Sequence, residues 1–167
     1  MAYYAKPFVI EEDEKTIKIL SDRGFGKVEN ERMLLSGVES LYLLENKRIT
    51  VEKDGKKISF HTLLKELSKT DKEIYNRYIV YKDLRSKGYS IRSGFKFGTY
   101  LRVYEKGTRP GEGKSDYLVY ILSAGEKIES ERIQILTKTA QLTKKNLILA
   151  VVDEEDVKYY KLNRIQM

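Results

Sequence analysis

The sequence predicts two modules in tandem, an α+β N-terminal domain followed by an α/β domain built on a mixed central sheet. Three observations predict it. Over the first 69 residues, short apolar runs and turn signals alternate with capped amphipathic stretches. From residue 70 onward the order of patterns is α-β-β-β-α-β-β. Within that order the run Leu147-Ile148-Leu149-Ala150-Val151-Val152 is apolar without interruption, as strands buried on both faces of a sheet are. The chain of 167 residues is long enough for two small domains. The boundary is set between residues 69 and 70, where composition shifts from acidic-leaning to aromatic and basic, giving domains 1–69 and 70–167.

In the first module, Phe8-Val9-Ile10 and Ile17-Lys18-Ile19-Leu20, separated by the polar stretch from Glu11 to Lys15, predict a hairpin. Gly24-Phe25-Gly26 breaks the pattern. Ser36 and Glu39 have capping-box spacing ahead of Val38, Leu41 and Leu43, so a short helix starts there and ends near Asn46. Ile49-Thr50-Val51-Glu52 alternates like a strand, and Asp54-Gly55 supplies a turn. Ser59 then caps a helix burying Phe60, Leu63, Leu64 and Leu67.

The second module opens at another capping-box spacing, Thr70 with Glu73. Ile74, Tyr78, Tyr81 and Leu84 form an apolar helical stripe, which Gly88 terminates. Strands follow around Tyr89–Arg92, Tyr100–Tyr104 and Tyr117–Leu122. Next come a turn at 123–127, a helix from Ser130 with Ile133, Leu136 and Ala140 inward, the apolar strand, and a last strand from Val157 to Leu162. Asp153-Glu154-Glu155-Asp156 is a compact acidic loop between the final two strands. Lys145 sits at the end of the second helix, where the dipole favours a cation.

Composition narrows the chemistry. The 32 Lys and Arg outweigh 25 Asp and Glu, for a net charge of +7, which suits a polyanionic partner such as nucleic acid. High charge content without Cys or Trp also suits an intracellular protein from a hot environment. The absence of cysteine excludes disulfides, thiolate catalysis and Cys-based zinc, and the single histidine, His61, excludes a multi-histidine metal site. No cofactor is expected. No apolar run approaches the length of a membrane span and no signal-peptide core is present, so the expectation is a soluble, cytoplasmic protein.

The stretch from Phe97 to Leu122 is the chemically distinctive one. Strand alternation sets Tyr100, Arg102 and Tyr104 on one face beside a glycine-rich cationic loop, Glu105 to Asp116. No phosphate-loop or Gly-x-Ser-x-Gly motif occurs, and Gly94-Phe95-Lys96-Phe97-Gly98 precedes a strand instead of opening a helix. Tyrosine, lysine and arginine remain. Such groups can cleave RNA without a metal, one taking the proton of an attacking 2′-hydroxyl, one protonating the leaving 5′-oxygen, and a cation stabilising the charged transition state.

Five spaced motifs carry a family resemblance. They are Tyr81-Lys82-Asp83-Leu84-Arg85-Ser86-Lys87-Gly88-Tyr89, Gly94-Phe95-Lys96-Phe97-Gly98, Arg102-Val103-Tyr104, Ser115-Asp116-Tyr117-Leu118-Val119 and Ala150-Val151-Val152-Asp153. In this order they resemble the archaeal tRNA-splicing endonucleases over about residues 34 to 162. The resemblance implies an N-terminal α+β domain before a nuclease-like α/β domain. It also implies a homo- or heterotetramer of related subunits acting on precursor tRNA at a bulge-helix-bulge, leaving a 2′,3′-cyclic phosphate and a 5′-hydroxyl. The family triad of tyrosine, histidine and lysine falls on Tyr104 as general base, Lys114 at the position of the acid, and Lys145 as transition-state stabiliser.

Lys114 departs from the family's histidine. A lysine near pKa about 10.4 is a poorer acid at neutral pH than a histidine near about 6.5. Three explanations fit: a noncatalytic structural subunit that positions a catalytic partner, an enzyme whose histidine was replaced, or a lysine serving as a weak acid. The resemblance also implies that the acidic loop Asp153, Glu154, Glu155 and Asp156 contacts a neighbouring subunit and that the last strand is where subunits pair. Arg102, Lys138 and Arg164 are candidates for contact with RNA, Lys138 falling where a base-clamping arginine would lie. A basic RNA-binding module unconnected with splicing is the third reading of the whole chain. His61, Tyr78 and Tyr81 are given structural places.

Overall fold

In a computed structural model that describes residues 1–93, 100–108 and 116–167, the first half of the chain forms a six-stranded sheet with three helices. Its elements are β1 (Ala2–Ala5), β2 (Phe8–Glu11), α1 (Glu14–Asp22), β3 (Lys27–Glu29), β4 (Arg32–Leu35), α2 (Gly37–Glu45), β5 (Val51–Lys53), β6 (Lys56–Ile58) and α3 (Phe60–Ser68). The strand order is β3-β4-β2-β1-β5-β6, with β1 and β5 parallel and the other neighbours antiparallel.

The hairpin expected from 8–10 and 17–20 does not form. Asp13 instead caps α1, its carboxylate accepting from the Thr16 amide at 3.0 Å and the Thr16 hydroxyl at 2.7 Å. Once helical, Ile17 and Leu20 stand three apart on one face; Leu20 is buried while Ile19 is exposed. The hairpin partner of β2 is β1, with Tyr4 opposite Val9.

The Ser36 capping box is present as expected, and its carboxylate does a second job. Glu39 is buried, accepting from the Ser36 amide at 3.0 Å and from the Gly26 amide at 2.8 Å, so it ties the α1–β3 connection to the start of α2. Gly26 has φ +68, and a Cβ there would lie 2.6 Å from Met33 Cγ, so glycine is required on both counts. Asp54 (φ 53) and Gly55 (φ 76) turn β5 into β6 as a hairpin of this handedness needs. Ser59 caps α3 through the Thr62 amide. Within α3, Leu63 and Leu67 are buried, whereas Phe60 and Leu64 are only half-buried. Lys53 of β5 reaches Glu66 of α3 at 2.8 Å; hydrogen bonds from Lys53 and then Lys69 hold the Glu66 carboxyl down at about 2.

Helix α4 (Ile74–Ser86) starts later than Thr70 would set it. Just ahead of it the Asp71 carboxylate accepts from the Glu73 amide at 3.2 Å, while the Thr70 hydroxyl turns back to the Leu67 carbonyl. The expected stripe, Ile74, Tyr78, Tyr81 and Leu84, is buried, and Gly88 ends the helix at φ +96. Ile79 and Val80 are buried as well, so the apolar surface of α4 is wider than one stripe. Two compact units divide within this helix, Met1–Tyr78 and Ile79–Met167.

The second unit adds β7 (Ser90–Ser93), β8 (Tyr100–Tyr104), β9 (Tyr117–Ser123), α5 (Ser130–Leu142), β10 (Asn146–Asp153) and β11 (Asp156–Leu162) in the expected α-β-β-β-α-β-β order. Its sheet runs β11-β10-β9-β8-β7, with β9 and β10 parallel and the rest antiparallel, so it is mixed. One face packs against α5 through Leu118, Leu136, Ala140 and Leu147. The other receives the C-terminal part of α4: the Tyr159 hydroxyl on β11 donates to Asp83 at 2.6 Å, and Lys87 joins the same carboxylate at 2.9 Å. Strand β10 is less enclosed than its apolar run suggests, since Ile148, Leu149 and Val151 stay half-buried. No helix among the described residues is long and apolar enough to cross a membrane.

Replacing Glu39 with Ala removes two charge-assisted bonds and strands the amides of Gly26 and Ser36. The expected loss is about 2–3 kcal/mol, read as a lower urea midpoint for the N-terminal domain. Ser36→Ala, which removes the single cap bond, costs only about 1 kcal/mol.

Candidate active site

Strand register decides which side chains meet. Val103 of β8 pairs with Tyr117 of β9, and Tyr117 pairs with Asn146 of β10, so these three form one rung across the sheet. One step outward on the three strands stand Tyr104, Asp116 and Lys145. Alternation turns them to the opposite face from the rung, the face that carries Leu118, Leu147 and α5. Backbone bonds fix this end of the sheet: the Asp116 amide donates to the Val103 carbonyl at 3.0 Å, and the Asn146 amide to the Asp116 carbonyl at 2.9 Å. Two strand spacings separate the backbones of Tyr104 and Lys145, about 10 Å. A tyrosine and a lysine can span that gap from either side with a phosphodiester between them.

Lys145 is delivered to this place by the way α5 ends. Thr143 closes the helix and Lys144 takes the left-handed conformation at φ +55. The Lys144 amide then donates to the Gln141 carbonyl at 3.2 Å and the Lys145 amide to the Ala140 carbonyl at 2.8 Å, the paired bonds of a Schellman motif. Lys145 is half-buried and lines a polar cleft of about 210 Å³ between α5 and the end of β11. Tyr104 is buried at the end of β8.

The other sequence-predicted residues are spread more widely. Lys114 lies outside the described residues, as does the Gly94–Gly98 motif. Arg102, two residues before Tyr104 and on its face, is half-buried. Lys138 is exposed on α5, and Arg164 is exposed beyond β11, where it lines the same cleft as Lys145. Asp153 and Asp156 pair as the last rung of the β10–β11 hairpin, with Glu154 at φ +57 in the turn; all four acidic residues are exposed. They stand at the far end of β10 from Lys145, about 25 Å away for eight residues of strand.

On the other face, the Tyr117 hydroxyl donates to Glu105 at 2.5 Å; at the strand ends the Glu105 amide donates to the Asp116 carboxylate at 3.4 Å. The hydrogen bond to the Glu105 carboxylate is the main reason the Tyr117 phenol is pushed up to about 12. Tyr89 meets Tyr117 edge to face, and Lys106 lies over the Tyr89 ring, its Nζ 5.2 Å from the centroid. The stems of the β8–β9 connection are thus tied together on both sides of the sheet. Sequence alone assigns no role to Gln141 or Asn163, and Asp116 enters only within the Ser115–Val119 motif. The available signal was parity: Gln141 precedes Lys145 by four residues, and Asp116 occupies the step beside Tyr104 once β8 and β9 are paired.

An α+β domain followed by an α/β domain that gathers a phenol and an ammonium at one sheet end defines a two-domain protein with a candidate catalytic C-terminal module. Comparison with known families agrees: residues 6–64 match the tRNA intron endonuclease N-terminal domain and residues 74–160 match the tRNA intron endonuclease catalytic C-terminal domain. The chain belongs to the tRNA intron endonuclease family. Its relatives include the tRNA-splicing endonuclease of Pyrococcus furiosus, 38% identical over 162 residues that cover 96% of this chain and 93% of that one. That of Thermococcus kodakarensis is 34% identical, covering 98% and 97%. That of Methanothermobacter thermautotrophicus is also 34% identical, covering 85% and 83%.

The Tyr117–Glu105 bond has a readable pH signature. Glu105→Gln removes the carboxylate, and the Tyr117 phenol should return from about 12 toward about 10, seen as an earlier step in a tyrosinate absorbance titration. Because the folded value is the higher one, the bond stabilises the fold fully below about pH 10. That contribution fades as pH rises toward 12.

Proposed function

We propose that this chain is a tRNA-splicing endonuclease subunit that cuts introns from precursor tRNA at bulge-helix-bulge sites. The observation that carries this reading is the convergence of Tyr104 and Lys145 on one face at one end of the sheet. In the proposed reaction Tyr104 accepts the proton of the ribose 2′-hydroxyl, whose oxygen attacks the adjacent phosphorus. The bond from phosphorus to the 5′-oxygen breaks, that oxygen takes a proton from the group at position 114, and Lys145 stabilises the extra negative charge on the phosphoryl oxygens. The products are a 2′,3′-cyclic phosphate and a 5′-hydroxyl, and no metal enters the scheme.

The remaining assignments extend this reading. The acidic turn Asp153–Asp156 docks on a basic surface of a related subunit in a homo- or heterotetramer, where complementary charge sets partner and register. Arg102, Lys138 and Arg164 contribute cations toward the RNA. The domain boundary is kept at residues 69 and 70, so that α4 belongs wholly to the catalytic domain. The protein acts in the cytoplasm.

A second reading is favoured by one residue. A lysine at position 114, where the family pattern carries histidine, suits a noncatalytic subunit that assembles with and positions a catalytic partner. Cleavage of a bulge-helix-bulge RNA by the purified chain in the presence of EDTA separates the two. Cleavage by the chain itself supports the enzymatic reading, with Tyr104→Phe and Lys145→Ala each lowering kcat by about 100-fold or more. If the chain is silent and Lys114→His cuts, position 114 is the lesion in an otherwise complete site. If both are silent and activity appears only on mixing with a related subunit, the scaffold reading holds. In either case binding should weaken steeply with salt; affinity that barely changes between about 50 and 200 mM would remove RNA from the account altogether.

A further inference from the structure

The cleft lined by Lys145 extends away from Tyr104, and its chemistry is distinctive. Leu147 and Leu162 form the last rung between β10 and β11. Beyond that rung, just outside the two strands, stand Lys145 and Arg164, and both line the cleft together with Leu147 and Leu162. Gln141 of α5 and Asn163 complete the walls, and no carboxylate lines the cleft among the described residues. The Thr137 hydroxyl nearby already donates to the Ile133 carbonyl at 2.8 Å, so the amide side chains are the neutral donors the cleft has to offer. Two cations of one sign, two amides and an apolar floor fit an anion attached to a small polar ring.

Along this end of the sheet the order is therefore Tyr104 ending β8, Asp116 just before β9, Lys145 just before β10 and Arg164 after β11. Lys145 stands between the phenol and the second cation. We infer that the cleft is a subsite for the nucleotide next to the reacting one: Arg164 holds the flanking phosphodiester, while Gln141 and Asn163 hydrogen-bond the ribose and phosphate oxygens. The RNA backbone then crosses the strand ends at right angles to the strands. The guanidinium suits this place because its planar fork can donate two parallel bonds to one phosphate. The inference rests on the reading of the chain as RNA-binding and adds the path of the substrate and a positioning residue.

The test measures binding of a bulge-helix-bulge RNA carrying a 2′-deoxyribose at each cleavage site, so that nothing is cut, across a range of salt. Arg164→Ala is expected to bind about tenfold more weakly and to reduce the slope of log affinity against log salt by about one, as for the loss of one phosphate contact. Arg164→Lys restores the slope. Two further RNAs carry a neutral methylphosphonate at one or the other phosphate flanking the scissile one. One of them should bind the parent chain as weakly as unmodified RNA binds the Arg164→Ala variant, and that variant should lose nothing more on it. An unchanged salt slope in Arg164→Ala, or losses that add on both modified RNAs, overturns the subsite. A parent chain that binds none of these RNAs overturns the RNA reading itself, a result distinct from a parent that binds while the variant matches it.

Discussion

Everything at the candidate site depends on the parallel pairing of β9 with β10. Parallel neighbours cannot be joined by a tight turn, so the chain must leave the far end of β9, return along the sheet as α5 and re-enter beside the start of β9. That return brings the C-terminus of a helix to the start of a strand. The antiparallel strand β8 ends at this same edge, because it runs opposite to β9. The end of one strand and the residues just before two others therefore collect Tyr104, Asp116 and Lys145 at one edge. Side chains placed on element ends in this way inherit the rigidity of the sheet.

The helix end is as constrained as the strands. Lys144 occupies a left-handed conformation usually left to glycine, and through it the Schellman bonds turn the backbone so that Lys145 falls in step with Leu147 on the α5 face. One residue more or fewer in this connection would send the ammonium to the opposite side of the sheet. The half-burial of Lys145 follows from the same geometry, since the turn at Lys144 sets it against the cleft beside α5.

Much of this was legible in the sequence, and the exceptions share a physical cause. Ser36, Ser59 and Gly88 announce their helix ends because capping is a local interaction between a side chain and the nearest amides. The order of elements in the second unit could be read directly, since each has a clear period. The segment after Asp13 is ambiguous because Ile17, Ile19 and Leu20 fit both periods, and the alternation predicts a strand where the Asp13 cap sets a helix. Thr70 misled in the other direction, carrying the right spacing while Asp71 made the bond. The strands β1, β3 and β4 are three or four residues each, too short for their pattern to rise above chance. The convergence of Tyr104 and Lys145 could not be read at all without the register, because 41 positions of sequence separate two residues that the sheet holds two strands apart. Family resemblance names both residues together as an expectation, and the strand register is what sets their backbones two strands apart.

The stapled stems of the β8–β9 connection carry an implication for how such a protein can diverge. Glu105, Asp116 and Tyr117 already bind one another, and Thr108 closes a turn onto Glu105. Chain entering and leaving this connection is therefore held at a fixed separation by residues outside it. Under that condition the closure entropy of a connection rises by only about 0.6 kcal/mol for each doubling of its length. The bonds that hold these stems do not involve position 114, so exchanging the residue there leaves the backbone positions of the phenol and ammonium set by the sheet. Descendants of one scaffold can thus part ways in chemistry long before they part ways in shape.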